Sequence, residues 1–325
     1  MKYWISGTGG ESGGLALPSI ALYDGAQPLW QDTVPGPTWL DTFEDKLLAV
    51  GEGEENGCVY LFRREGNRCT LLDNRPIDGT SFCHLTVFPK HQVAAGACYG
   101  TGHVFTLEIK EDGFGEMKSW LRQSDAEISR AHCIIADKAE TRAYAANIAL
   151  DRLYYYDIDD SGALINGRFL ALPEGEGIRH LLLREDKGLL YATTEYTNRI
   201  LTIDVSGSEP VYLGGINSLE DDFAMPSYLS GLIMNEAGTL LYAANRGADT
   251  ISVFAAEGKG LKKIAERPCY GKFPRSLAFA ENGSQLAYAN QKSNSVIFAA
   301  LDAGGLPGEP VRVLPFLNPM FIRQA

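Results

Sequence analysis

Along this chain short runs of alternating apolar and polar residues are broken by tight polar turns, and the pattern recurs every 44 to 50 residues. Six stretches begin alike: PTWLDTFEDKLLAVGE (Pro37 to Glu52), CHLTVFPKHQVAAGACYG (Cys83 to Gly100), AHCIIADKAETRAYAANI (Ala131 to Ile148), RHLLLREDKGLLYATTEY (Arg179 to Tyr196), LSGLIMNEAGTLLYAANRG (Leu229 to Gly247) and PRSLAFAENGSQLAYANQK (Pro274 to Lys292). Period-two alternation rich in Tyr, Val, Ile and Phe predicts strands. Glu-Ala-Gly, Glu-Asn-Gly and Asp-Lys-Gly predict the hairpin turns between them. In the fifth unit the reading is LSGLIMN, EAG, TLLYAANR, GAD, TISVFAAEG and then LKKIAERPCY, which is four strands. Such a repeat predicts an all-β fold of four-stranded antiparallel blades, a β-propeller.

Six complete units leave fragments at both ends. KYWISGTG matches a second strand, LPSIALYD a third and QPLWQDTV a fourth, while NPMFIRQA at the C-terminus supplies the missing first strand. One blade built from both termini makes seven, closes the ring and covers an exposed edge. No linker interrupts the pattern, so residues 1–325 are expected to form a single domain.

Composition changes this picture little. The chain is 45% hydrophobic, and its 35 glycines and 15 prolines are spread along it, as many short strands require. The formal charge of −12 argues against nucleic acid and anionic membrane as partners, though not against a small anion held by a few focused arginines. No apolar run reaches 18 residues, and the N-terminus has no secretory apolar stretch. Six cysteines at 58, 69, 83, 98, 133 and 269 form no C-x-x-C pair and lie mostly in strand-like runs. Buried free thiols in a reducing cytoplasm are expected.

Topology says where chemistry should gather. In a meander the start of strand one and the end of strand two lie on the same rim. The starts supply Trp39, His84, His132, Arg179 with His180, Ser230 and Arg275. The ends supply Glu52, Tyr99, Asn147, Glu195, Asn245 with Arg246, and Asn290 with Gln291. His132, Arg179, Glu195, Arg246 and Arg275 are therefore expected around one opening. Each has a plainer reading alone: a core histidine, an inter-strand Arg179–Glu195 pair, solvated rim arginines. Together they suit the holding of a carboxylate or phosphate and the movement of a proton. His84 is set aside as lying outside the arginine-rich arc. His180 is set aside because alternation should point it away from Arg179.

The strings LYAANRGADTISVF, FPRSLAFAENGSQLAYANQKSNSVIFA, IRHLLLREDKGLLYATTEYTNRILTIDV and AHCIIADKAETRAYAANIALDRLYYYDID resemble the seven-bladed propeller lactonases. That family includes bacterial 6-phosphogluconolactonases and fungal carboxymuconate lactonising enzymes, and the resemblance covers essentially the whole chain. It implies a metal-independent, cofactor-free site with His132, Arg179, Glu195 and Arg246 as the catalytic set. Arg275, Asn147, Asn245, Asn290 and Gln291 are expected to bind a small anionic lactone. Departures occur at Gly51-Glu52, where Asn-Glu is common, at Cys98, where Asn is usual, and at YLSG in the fifth unit. These bear on substrate more than on chemistry.

The implied reaction is lactone hydrolysis. Arg179 would stabilise the oxyanion, Arg246 and Arg275 would hold the acidic tail, and Glu195 and His132 would share the acid and base roles. The alternatives are closure of an unsaturated diacid by the same groups, or a binding scaffold without activity. Gly10-Glu11-Ser12-Gly13-Gly14 lacks the strand-to-helix context of a nucleophile elbow, and no phosphate loop is present. A calcium site imitated by Glu52, Asn147, Glu195, Asn245 and Asn290 is disfavoured by the arginines nearby.

Overall fold

The computed structural model describes residues 1–12, 15–51, 57–220 and 223–325. Seven four-stranded sheets and one two-stranded hairpin, Gly10–Ser12 with Leu15–Leu17, make up the described strands. The chain divides into two compact units, Val34–Leu181 and Met1–Thr33 with Leu182–Ala325. The division falls inside the strand Ile178–Arg184, which opens the sheet that continues through Leu189–Thr194, Arg199–Asp204 and Val211–Asn217.

The unit Val34–Leu181 holds three whole sheets, opening with the strands Pro37–Phe43, Phe82–Phe88 and Ala131–Ala136. Two of their second strands, Lys46–Gly51 and Val93–Cys98 (VAAGAC), are buried from end to end. Sheets packed on both faces bury these strands on both sides, so they read as near-continuous apolar runs in which small Ala and Gly fill the tightest places. Leu48 and Val50 of one sheet meet Leu85 and Phe105 of the next in a continuous core.

In the other unit Pro319–Gln324 pairs antiparallel with Lys2–Gly7, Ile5 opposite Ile322. The two termini thus share one sheet, in the order Pro319–Gln324, Lys2–Gly7, Ile20–Asp24 and Gln27–Asp32. Fourth strands such as Val211–Asn217 alternate exposed and half-buried positions, as an edge facing water must. First strands run close to one another: a Cβ on Gly231 would stand 3.2 Å from the backbone nitrogen of Leu277.

One irregularity recurs where chemistry was expected. Pairing slips by a residue between Pro37 and Trp39, Phe82 and His84, Ala131 and Cys133, and Pro274 and Ser276. A bulge at the start of these first strands re-aims the side chains there and breaks strict alternation.

Candidate functional site

Within the unit Val34–Leu181 an aromatic and cationic cluster forms around Arg179, which is 2% exposed. Its Nη1 lies 3.1 Å from His180 Nε2. A guanidinium only donates, so Nε2 accepts and the proton of a neutral imidazole stands on Nδ1. The His180 ring is 5.2 Å from that of His132, 5.1 Å edge-on from Trp39 and 6.2 Å from His84. Trp39 and His84 are 4.4 Å apart, and Tyr99 lies edge-on to His132 at 6.1 Å with Arg130 over its own ring. Burial first, and then the charge of Arg179, push the His84 pKa down to about 3. Its Nδ1 accepts a long hydrogen bond, 3.5 Å, from the Ile134 backbone N–H.

Setting aside His84 and His180 is therefore corrected. Both belong to the buried group that contains His132 and Arg179. His84 joins it through its 4.4 Å contact with Trp39, and His180 through its 3.1 Å contact with Arg179.

The other unit holds an ion pair. Arg246 Nη2 is 2.9 Å from Glu195 Oε2. Arg246 also donates from Nε to Tyr228 O at 3.2 Å and from Nη2 to Leu229 O at 3.3 Å, and its Cζ stands 5.2 Å from the centroid of Phe273. It is 6% exposed, so the reading of a solvated rim charge does not hold for it. Arg275, second residue of the strand Pro274–Ala280, is half-buried, as is Gln291 at the start of a 3₁₀ turn.

The asparagines are a second correction. Asn147 is fully buried; Nδ2 donates to Gln123 Oε1 (2.7 Å) and Ser129 Oγ (3.0 Å), and Oδ1 accepts from Arg130 N (3.1 Å). Asn245, equally buried, donates to Thr250 Oγ1 (2.9 Å) and Ser252 Oγ (3.0 Å) and accepts from Ser218 Oγ (2.8 Å). Asn290, buried too, donates to Cys269 O at 2.9 Å. Gln123, Ser218 and Cys269 each follow the fourth strand of the preceding sheet. These amides tie consecutive sheets together, Asn290 through its Nδ2 alone. Glu52 lies outside the described residues.

All six cysteines are thiols, none joined in a disulfide. Burial pushes the Cys133 and Cys269 thiols up to about 12, which makes them poor nucleophiles. Among the described residues no group of three or more His, Cys, Asp or Glu side chains is arranged to hold a metal ion. Asn147 and Asn245, which a calcium site would need, have committed their amides to the interior. No helix among the described residues is long and apolar enough to cross a membrane.

Comparison with known proteins gives a family. The family model "Lactonase, 7-bladed beta-propeller" matches residues 23–320. A 6-phosphogluconolactonase of Bacillus subtilis is 23% identical over 292 residues, spanning 85% of this chain and 83% of that one. The periplasmic gluconolactonase of Pseudomonas aeruginosa superposes with a TM-score of 0.89 at 20% identity, covering 100% of this chain and 99% of that one. A protein from Lactobacillus plantarum superposes at 0.88 with 19% identity and the same coverage.

Proposed function

We propose that this chain, which belongs to the seven-bladed β-propeller lactonase family, hydrolyses a sugar-acid lactone, 6-phosphogluconolactone or a close relative. On this reading it works in the cytoplasm, in the pentose phosphate pathway, without a metal ion. The observation that carries the reading is the burial of two arginines at family-matched positions, Arg179 and Arg246. Removing a guanidinium from water costs several kcal/mol unless something repays it, and packing alone would have chosen apolar residues. Each is also oriented, Arg179 against His180 and Arg246 by Glu195 and two carbonyls. Oriented buried cations are what a developing oxyanion needs.

The chemistry runs as follows. Water adds to the lactone carbonyl and negative charge builds on its oxygen. Arg179 stabilises that charge, a contribution of about 3 to 4 kcal/mol where such donors have been removed from other enzymes. Glu195 and His132 divide the proton transfers: one takes the proton of water, the other returns one to the departing ring oxygen. The C–O bond of the ring breaks and an open hydroxy acid leaves. Arg246 and Arg275 hold its acidic end. Arg179 and Glu195 belong to one sheet, at the start of its first strand and just beyond the end of its second, which supports a shared role.

The test is turnover above the spontaneous rate with 6-phosphogluconolactone, unphosphorylated gluconolactone and a muconolactone. Hydrolysis of a sugar lactone, lowered about 10²-fold or more in Glu195→Gln and unaffected by chelator, is expected. Turnover of the muconolactone alone would favour the lactonising direction, and turnover of none would favour a binding scaffold. Loss on chelation with recovery on calcium would overturn the metal-independent route.

A further inference from the structure

Phe273 carries the most improbable backbone of the site region. Its φ is +65°, in the left-handed region that a bulky side chain rarely occupies. Asp249 holds it there: Oδ1 accepts the Phe273 N–H at 2.7 Å and also the Gly247 N–H at 3.2 Å. Asp249 is itself anchored by its own N–H on Asn245 O at 2.9 Å, and its carbonyl accepts Cys269 N–H at 2.9 Å. The Phe273 carbonyl accepts Gln291 N–H at 3.1 Å, so the segment is pinned from both sides. This clamp brings the ring to 5.2 Å from Arg246 Cζ and 3.9 Å from Lys292 Nζ. A relaxed backbone at 273 would aim the ring elsewhere.

Strain of this kind persists where surrounding structure over-determines it, and it gathers at working sites. We infer that Phe273 is a positioning residue, held in a strained conformation by Asp249 so that its ring fixes the Arg246 guanidinium in the orientation that meets Glu195. A cation over an aromatic face is attracted to it, and the ring also keeps water from that side of the pair, which strengthens the 2.9 Å contact. The functional part of this inference rests on the hydrolase reading above. The conformational part does not.

Three variants separate positioning from packing. Phe273→Tyr keeps ring and strain, Phe273→Leu keeps bulk and strain without the ring, and Phe273→Gly removes both. Thermal unfolding should rank Gly at least as stable as Leu, because glycine adopts positive φ freely. Plain packing predicts the reverse. Hydrolysis should rank Phe and Tyr together, Leu lower and Gly lowest, with a loss of about tenfold or more in kcat for the glycine variant. The Arg246 Nε–H resonance gives a readout free of any substrate: slow to exchange in the wild type and in Phe273→Tyr, fast in Phe273→Leu and Phe273→Gly. An unchanged Arg246 signal across the series, or a glycine variant less stable than leucine, would overturn the inference. A wild type that turns over no lactone but shows the expected exchange series would remove the hydrolase reading and leave Phe273 as the holder of Arg246.

Discussion

His84 shows at the scale of one residue how the interior sets charge. Its pKa falls to about 3, against 6.5 for an exposed imidazole, because burial and the Arg179 guanidinium both oppose a second positive charge. The unfolded chain therefore takes up a proton below pH 6.5 that the folded chain refuses until about 3. Stability from this group is complete above 6.5 and is lost as pH falls through that window, by about 1.4 kcal/mol per unit while only the unfolded chain binds the proton. Urea unfolding of wild type and His84→Gln between pH 7 and 4 checks this. The wild type should lose more, and parallel curves would show that His84 is protonated without penalty. At this scale the strand positions were legible in the sequence: His132 and Arg179 lie near the starts of first strands, Glu195 just beyond a second strand and Arg246 at the end of one. Their immediate neighbours were not. His180 meets Arg179 at 3.1 Å although the two are adjacent along one strand, and Phe273 left no trace because positive φ at a phenylalanine follows from Asp249, 24 residues away.

At the scale of the element, strands and turns could be read almost throughout, because alternation and turn residues agree with each other and with the repeat. The role of the strand-two asparagines could not. Asn147 ends its strand and Asn245 stands next to last in its own, and both amides turn inward to hold the segment after the preceding sheet. Sequence shows a polar residue at a strand end and cannot show whether its amide meets ligand or backbone. Asn147→Ala would leave Gln123 Oε1 and the Arg130 N–H without that partner, a cost of about 1–3 kcal/mol for buried groups. Chemical unfolding should detect that loss while KM for the lactone stays within about twofold, as for a side chain outside the binding surface. A raised KM with unaltered stability would return Asn147 to the substrate.

At the scale of the whole molecule the repeat was the strongest signal, including the sheet shared by the two termini. Length alone would have suggested two domains, and contacts do divide the chain into two compact units. The proposed machinery comprises His132, Arg179, Glu195, Arg246 and Arg275. We propose that these groups act on one lactone. A double-mutant cycle on kcat/KM tests it directly, with Arg179→Gln, Glu195→Gln and the double variant assayed on 6-phosphogluconolactone. Groups serving one transition state are strongly non-additive, so the double variant should be little slower than the slower single variant. Fully additive losses, or activity intact in both single variants, would contradict it.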